Sequence, residues 1–346
     1  MKDLPVPLWL ILTEALKIRI IPGHYKLPDI EKDIAKIKAG YKGELILSHF
    51  VNQLPHDKYY IFHDLQLVHN GIHFQIDTLL ITRNYILIIE AKNIKGTVLF
   101  DNVFNQLIRY NNDGTEDVFE DPRVQAKRLC KLLGGILAAN GLNFLPIDHL
   151  VFFSSTKTIL KTNTNDYRTL EKVCKGRDLF SKIEGLEKTY TQPRVNDNTI
   201  IDLAKFLFSN HSPMKIDILK EYSLSSNDIR TGVCCPKCLH IPMTYLKRRK
   251  WHCPVCDFIS NDAFIAGVRD YFLLIKPSIT NTECRSFLHI PTIDTAQKLL
   301  FQLNLPSSGS KRGRLYFPHS IEFPVLSERT SLKSGREVPH AFYNKK

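Results

Sequence analysis

The feature that most constrains this chain is a pair of apolar runs, residues 73–81 and 85–92, separated by a short polar turn. Their lengths and composition predict the two antiparallel strands of a hairpin. A two-residue loop would place Asp77 directly opposite Glu90, with Cβ atoms about 5 Å apart. Two carboxylates that face each other repel, and burying them among apolar neighbours is costly without a counter-charge.

A divalent cation would remove this conflict. Mg²⁺ prefers one or two carboxylates together with waters and phosphate oxygens, and Mn²⁺ suits the same ligands. Side chains alternate along a strand, so Lys92 shares the face of Glu90 and would lie beside the metal. There it could orient or deprotonate a water and neutralise a phosphate. The alternative is an ordinary hairpin in which Lys92 pairs with one exposed carboxylate, and a different turn length would break the register.

Two predicted helices add polar side chains to this site. Residues 36–54 have apolar positions at helical spacing, and Glu44 on this helix is placed to supply a third carboxylate. Two glycines precede Glu44 and cost roughly 1 kcal/mol each against alanine, which a close approach to the sheet or the substrate would explain. A later helix begins at Asp121-Pro122 and presents Gln125 and Arg128 on one face.

Asp64 is a further acidic candidate. Asn70-Gly71 is a hairpin signal, and a two-residue turn there would place Asp64 opposite Asp77. We favour the interpretation that Asp64 is a surface aspartate near a strand end, because isolated aspartates are mostly exposed. The chain order of helix, strand meander, helix and buried strand (residues 149–155) predicts an α/β sandwich built on a mixed sheet.

Four short motifs occur in a set order: G-x-x-G-E at Gly40–Glu44, Q-I-D at Gln75–Asp77, E-A-K-N at Glu90–Asn93 followed by Gly96, and Gln125 on the later helix. Together they resemble the nuclease-related domain, NERD, a branch of the PD-(D/E)xK nuclease fold, over about residues 38–155. The sequence departs from this family at Asp121-Pro122-Arg123, where Asn-Pro is common, and this leaves the role of Gln125 open.

The resemblance implies a restriction-endonuclease-like core, in which helices flank a mixed sheet. It implies that Asp77 and Glu90 bind Mg²⁺ or Mn²⁺ and that Lys92 takes part in catalysis. It also implies an auxiliary acid, Glu44, and a helper on the later helix, Gln125.

A second metal site is predicted from the cysteines, of which five of eight fall within residues 234–256. Cys235-Pro-Lys-Cys238 and Cys253-Pro-Val-Cys256 are two C-x-x-C pairs with 14 residues between them. Each pair offers two thiolates from one tight turn, and four thiolates complete a tetrahedral Zn²⁺ site. The zinc would be structural, because all four positions are filled. Weaker alternative ligands are Cys234, His240 and His252.

Two basic segments are predicted to bind nucleic acid. The first lies between the cysteine pairs, where four cations adjoin an indole that can stack on a base: Lys247, Arg248, Arg249, Lys250 and Trp251. The second is a glycine–serine loop with three cations: Lys311, Arg312 and Arg314. In both cases the alternative is a solvated surface.

The length of the chain suits two or three compact units. We predict an N-terminal arm (residues 1–35), the NERD nuclease domain (36–156), a helical or irregular connecting region (157–229), a zinc ribbon (230–262), a basic nucleic-acid-binding segment of α+β character (263–320) and a tail (321–346).

The charge balance points to anionic partners, because 47 lysines and arginines exceed 35 acidic residues and give a net charge of +12. No apolar run reaches membrane-spanning length and no secretory signal pattern is present, so we expect a cytoplasmic protein with no membrane partner and no small-molecule cofactor. The expected activity is metal-dependent hydrolysis of DNA, or of RNA, in DNA processing. Two alternatives are an inactive nuclease fold that only binds DNA and an adaptor whose ribbon contacts a protein. Facing carboxylates favour the enzyme, because binding alone needs cations.

Overall fold

The structure of this protein is a computed structural model that describes residues 2–111, 113–163, 171–246, 250–310 and 313–319. The chain divides into two compact units. The first comprises Met1–Lys17 and Tyr25–Met214, and the second comprises Ile18–His24 and Lys215–Lys346. The first helix, α1 (Leu8–Arg19), begins in the first unit and ends in the second.

The first unit alternates helices with strands. After α1, its elements in chain order are α2 (Leu27–Val51), β1 (Tyr60–His69), β2 (Ile72–Ile81), β3 (Ile86–Lys92), β4 (Gly96–Asp101), β5 (Gln106–Tyr110), β6 (Glu116–Glu120), α3 (Pro122–Ala139), β7 (Ile147–Phe153), β8 (Thr158–Thr162), β9 (Val173–Lys175), α4 (Asp178–Thr189) and α5 (Asp197–Ser209).

A five-stranded mixed sheet lies at the centre of this unit, in the order β1-β2-β3-β7-β9. The pairs β1–β2 and β2–β3 are antiparallel, whereas β3–β7 and β7–β9 are parallel. The β1–β2 register pairs His69 with Ile72, and both residues of the predicted Asn70-Gly71 turn have positive φ, 50° and 78°. Such angles are typical of the two-residue hairpin turns whose twist matches that of the strands.

Helices cover both faces of this sheet. On one face α2 and α4 contribute buried side chains such as Leu47 and Ile183. On the other face α3 and α5 contribute side chains such as Leu133 and Leu207. A buried helix–sheet–helix arrangement of this kind is the mixed α/β architecture that the sequence predicts.

A second sheet has the order β6-β5-β4-β8. Its inner face packs on the end of the central sheet, where Phe100 meets Phe153 with ring centroids 5.9 Å apart and Val98 and Leu107 join the same core. This sheet therefore extends the core next to the carboxyl end of β7.

Two of the segments predicted from the sequence differ in their bounds from what the first unit contains. The arm predicted at residues 1–35 contains α1 and the start of α2. The apolar run over residues 97–110 forms two antiparallel strands, because the chain turns back at residues 102–105. The region predicted as a connection, residues 157–229, supplies two strands and two helices to the first unit.

The second unit contains short strands and helices: α6 (Ile218–Glu221), a 3₁₀ turn (Ser226–Asp228), β10 (Thr244–Leu246), β11 (Lys250–His252), β12 (Ile259–Ser260), α7 (Ala263–Leu274), β13 (Ile279–Thr280), α8 (Asn281–Leu288), α9 (Ile293–Gln302), β14 (Ser307–Ser308) and β15 (Leu315–Tyr316). The strands form two antiparallel sheets, β10-β11-β12 and β13-β15-β14.

In this unit α9 buries Ala296, Leu299 and Leu300 on one face, as their helical spacing requires. The apolar run at residues 271–275 has the composition of a strand, but most of it is the last turn of α7. None of the described helices, in either unit, combines the length and apolar character needed to cross a membrane.

Candidate active site

The end of the β2–β3 ladder positions two carboxylates. Thr78 pairs with Ile89, so the next positions along the two strands are Asp77 and Glu90, and the register predicted from the sequence is the one observed. Asp77 Oδ2 accepts a hydrogen bond from the backbone N–H of Ala91 at 2.8 Å. The side chain of Glu90 is buried, with the residue only 3% exposed.

The side chain of Lys92 connects strand β3 with helix α3. Its Nζ donates to Glu90 Oε1 at 2.8 Å and to Gln125 Oε1 at 2.9 Å. Gln125 stands in the first turns of α3, which begins as predicted, with the side chain of Asp121 accepting the backbone N–H of Arg123 at 2.8 Å. The capped helix start thus fixes Gln125, and Gln125 in turn holds the ammonium group of Lys92 beside Glu90.

Glu44 reaches the same region from α2 because this helix approaches the sheet closely. A Cβ on Gly43 would lie 2.9 Å from Asn93 Cβ and 3.0 Å from Ser154 Oγ, closer than a side chain permits. Asn93 Nδ2 also donates to Ala39 O at 2.7 Å. The predicted close approach is therefore found at Gly43, but not at Gly40, where a Cβ would meet nothing within 4 Å.

The carboxylates repel one another. Burial, followed by the charges of Asp64 and Glu90, raises the pKa of Glu44 to about 7. Burial, followed by the charges of Glu90 and Glu44, raises the pKa of Asp77 well above its ordinary range. The hydrogen bond from Ala91 and the charge of Lys92 oppose the shift at Asp77 without overcoming it. The charge of Lys92 is thus too little to offset the burial and repulsion at Asp77.

Asp64 belongs to this group, so its interpretation as a surface aspartate is wrong. It lies on β1 between residues paired with Thr78 and Ile76, opposite Asp77, and its side chain is only 15% exposed. Its φ of 50° interrupts the ladder. Lys2 Nζ donates to Asp64 Oδ2 at 3.4 Å and to Asp64 O at 2.9 Å. Sequence reasoning missed Lys2, because no local pattern links it to Asp64, which lies 62 positions away in the chain.

The donor chemistry of this site fits a divalent cation. Asp77 and Glu44 form no ion pair within the described part of the chain, and burial, followed by the charges of neighbouring carboxylates, raises the pKa of both groups. A cation between the carboxylates would relieve this repulsion. Among the described residues, no three carboxylate oxygens here lie within 4.8 Å of one another. This geometry suits a cation that is held by two carboxylates together with waters or phosphate oxygens. Mg²⁺ prefers this set of ligands.

Comparison with known families bears on the same residues. Residues 39–154 match the family model of the nuclease-related domain, NERD. This segment is similar to the nuclease-related domain. It runs from the centre of α2 to the end of β7 and includes Glu44, Asp77, Glu90, Lys92 and Gln125. No curated protein and no solved structure matches the chain. A nuclease-type function is therefore indicated, at the level of the domain.

Outside the segment that matches the family model, the four predicted cysteines form one cluster. Their Sγ atoms all lie within 4.8 Å of one another, with 3.6 Å between Cys235 and Cys256 and 3.5 Å between Cys238 and Cys253. A tetrahedral zinc with Zn–S bonds of about 2.3 Å spaces its sulfurs about 3.8 Å apart, so the cluster fits Zn²⁺ closely. The three antiparallel strands β10, β11 and β12 complete a zinc ribbon.

The predicted basic segments of the second unit are only partly described. Lys247, Arg248, Arg249, Lys311 and Arg312 lie outside the described residues.

Of the predicted nucleic-acid contacts that the structure describes, Lys250 and Arg314 are exposed. Trp251 is fully buried, and its ring lies 5.0 Å from that of Tyr245. The prediction that Trp251 stacks on a base is therefore wrong, because β11 is the central strand of the ribbon and directs this indole inward.

Proposed function

We propose that this protein hydrolyses phosphodiester bonds of DNA in a reaction that depends on Mg²⁺ or Mn²⁺. The observation that carries the proposal is the juxtaposition, in a segment that matches the NERD family model, of Asp77 and Glu90 with a lysine held in place by Gln125. A module that only binds DNA gains nothing from facing carboxylates, since phosphates repel them.

The proposed roles follow from the contacts. Asp77 and Glu90 would hold the cation, and Glu44 would add negative charge beside them. When bound, the cation would polarise the scissile phosphate and lower the pKa of a water. Lys92, whose ammonium group already donates to Glu90, would neutralise charge on the phosphate or orient the water. Gln125 would keep that ammonium group from turning away.

The second unit would assist by binding the DNA backbone. Zinc on the four cysteines would stabilise the ribbon, and the nearby cations would contact phosphates, including the exposed Lys250 and Arg314. We further propose a cytoplasmic location and a role in DNA processing, because reduced thiolates are the form that binds zinc.

The test is to incubate the purified protein with supercoiled duplex DNA and with circular single-stranded DNA, in Mg²⁺, Mn²⁺ or EDTA. The wild type should cut in either metal and not in EDTA. Asp77→Asn keeps the shape of the side chain but removes one charge from the ligand pair, so it should lower the rate at least about a hundredfold.

The matched control is Asp57→Asn, which removes the same charge at an exposed position of the first unit and should cut like the wild type. If the wild type fails to cut in any metal but both proteins bind DNA with strong salt dependence, the protein is a DNA-binding module and the proposed hydrolysis is wrong.

A further inference from the structure

Two of the most exposed apolar side chains of the first unit lie next to each other. The turn between β4 and β5 (residues 102–105, the hairpin tip) presents Val103, which is 66% exposed, and Phe104, which is 75% exposed. Leaving both in water forgoes the burial of large apolar side chains, worth roughly 1.5–3 kcal/mol each. Adjacent exposed apolar residues at a hairpin end are the kind of feature that a partner covers.

Hydrogen bonds fix the backbone of the hairpin tip, whereas its two apolar side chains are exposed. Asp101 Oδ1 accepts the backbone N–H groups of Val103 and Phe104, at 3.0 and 3.4 Å. The same carboxylate accepts two side-chain hydrogen bonds. Asn163 Nδ2 donates to Oδ1 at 2.8 Å, and Gln106 Nε2 donates to Oδ2 at 2.9 Å. A tip braced in this way projects Val103 and Phe104 in a fixed direction, so binding costs little ordering entropy.

The hairpin tip is also joined to the start of α3. Arg123 Nη2 donates to Asn102 Oδ1 at 2.6 Å, and the backbone N–H of Asp121 donates to Asn105 O at 3.3 Å. The same turn of α3 carries Gln125, which binds Lys92. Because residues two positions apart face different sides of a helix, the side chains of Arg123 and Gln125 do not meet, but both depend on the same helix start. The start of α3 therefore links the hairpin tip to a residue of the candidate active site.

The positive charge on α3 indicates the kind of ligand that would contact the hairpin tip. Lys127, Arg128 and Lys131 are exposed on this helix, and none of them forms an ion pair within the described residues. Unpaired cations beside a metal-binding site attract a phosphate backbone. Apolar side chains inserted from such a surface enter between base steps of the duplex, unstacking and kinking it.

We propose that Val103 and Phe104 form a wedge that inserts between two base pairs of duplex DNA bound along α3. The inference rests on the proposed function only in taking DNA as the ligand, and it does not require cleavage. It deepens that function by assigning how the duplex is deformed next to the carboxylates. Phe104 would stack on a base, and Val103 would fill the opened step.

The experiment uses the full-length protein in EDTA, so that binding is measured without hydrolysis. A set of short duplexes carries 2-aminopurine, an adenine analogue quenched by stacking, at each step in turn. Wild type should raise the fluorescence severalfold at one step or a few adjacent steps. The variant Val103→Ser/Phe104→Ser should lose this rise and bind about tenfold more weakly, with the salt dependence of wild type because no charge is lost.

Two controls separate a wedge from general weakening. Val118→Ser alters a side chain that is 60% exposed on the same sheet, at the edge strand β6, and should change neither readout. Arg128→Gln should weaken binding and lower the salt slope by about one ion while the fluorescence rise persists at saturation.

Some outcomes would overturn the wedge. They are an unchanged fluorescence rise in the double variant, no rise with wild-type protein at saturation, and no binding to duplex DNA. If instead the wild type cuts supercoiled DNA but shows no rise, hydrolysis stands and the wedge falls. If it never cuts but the rise is present and depends on Phe104, the wedge stands and hydrolysis falls.

Discussion

At the scale of the residue, Lys92 depends on Gln125 for its position, since Nζ is shared between Glu90 Oε1 and Gln125 Oε1. Gln125→Ala leaves the ammonium charge but frees it to rotate, so we expect kcat for cleavage of supercoiled DNA to fall about tenfold. Lys92→Met should lower kcat further, by about a hundredfold or more.

The double variant decides between positioning and an independent role. If Gln125 acts through Lys92, adding Gln125→Ala to Lys92→Met should cause almost no further loss. A second tenfold loss in that background would mean that Gln125 contacts the substrate or water by itself, and the positioning role would be wrong.

A second residue-scale prediction concerns His63, which precedes Asp64 on β1 and is only 3% exposed. Its Nε2 lies 3.2 Å from Ser48 Oγ and its Nδ1 lies 3.0 Å from Thr78 Oγ1. Burial, then the charge of Lys2, lowers the pKa of His63 to about 4, with Asp3 opposing. The unfolded chain therefore binds more protons between pH 6.5 and 4, and stability is lost as the pH falls through this range.

We expect this histidine to contribute roughly 2–3 kcal/mol of pH-dependent unfolding free energy. In urea denaturation at pH 7 and pH 4.5, His63→Gln should lose less stability on acidification than the wild type does. His73→Gln, at an exposed histidine, should behave like the wild type. Equal losses in His63→Gln and wild type would contradict the prediction. Comparing variants removes the opposite contribution of Asp77 and Glu44, whose raised pKa values favour folding at low pH.

The acidic pair could be predicted from the sequence because a period of two and a short turn leave one register, which fixes Asp77 opposite Glu90. The surroundings of Asp64 could not be predicted. Its left-handed backbone and its contact with Lys2 depend on tertiary structure, with 62 positions between the two residues. A positive φ at an aspartate has no unique sequence signal.

At the scale of the element, helix α2 carries two central glycines in different surroundings. A Cβ at Gly43 would clash with Asn93 and Ser154, whereas a Cβ at Gly40 would meet open space. We expect Gly40→Ala to stabilise the protein by about 0.5–1 kcal/mol, because alanine is the better helix former. Gly43→Ala should destabilise it by about 1–3 kcal/mol, because the helix must move away from β3 and β7.

Urea denaturation of the two single variants measures this difference directly, and each serves as the matched control of the other. Gly43→Ala should also lower cleavage, because α2 carries Glu44. Equal stabilisation by both substitutions would show that α2 does not approach the sheet as closely as the structure indicates.

Elements with a clear hydrophobic periodicity, or with residues typical of a helix start or a turn, were predicted well, and the others were not. Asp121-Pro122 and Asn70-Gly71 mark their helix start and hairpin turn by local chemistry. The helix α7 is buried on almost every side, so its residues 271–275 show no polar face and resemble a strand. The strand β9 has only three residues, and its parallel pairing with β7 depends on a long crossover that leaves no local pattern.

At the scale of the whole molecule, two sets of side chains with the chemistry of metal ligands lie in separate units. The carboxylates of the first unit suit a hard cation that exchanges its waters, and the thiolates of the second suit a permanently held zinc. The cysteine site could be predicted from the sequence, because the spacing of two C-x-x-C pairs is itself typical of a zinc site. The unit boundary, between Met214 and Lys215, was not predicted, because strands and helices after residue 157 complete the first unit.

Zinc removal should therefore act on the second unit alone. The protein has two tryptophans, and Trp251 is fully buried in the ribbon. In a Trp9→Phe background Trp251 reports on the ribbon alone. Structural zinc sites contribute on the order of 10 kcal/mol, so stripping the metal with a strong chelator should unfold the ribbon and shift the emission of Trp251 to the red.

Added Zn²⁺ should restore the original emission spectrum. Cys256→Ser should show the red shift without chelator, whereas Cys130→Ser, which alters a cysteine of the first unit, should respond like the parent. Unchanged emission after metal analysis has verified zinc loss would mean that the four thiols do not stabilise the ribbon. If the emission shifts while DNA cutting in Mn²⁺ persists at a reduced affinity, the ribbon serves binding and the carboxylates serve hydrolysis, as their ligand chemistry requires.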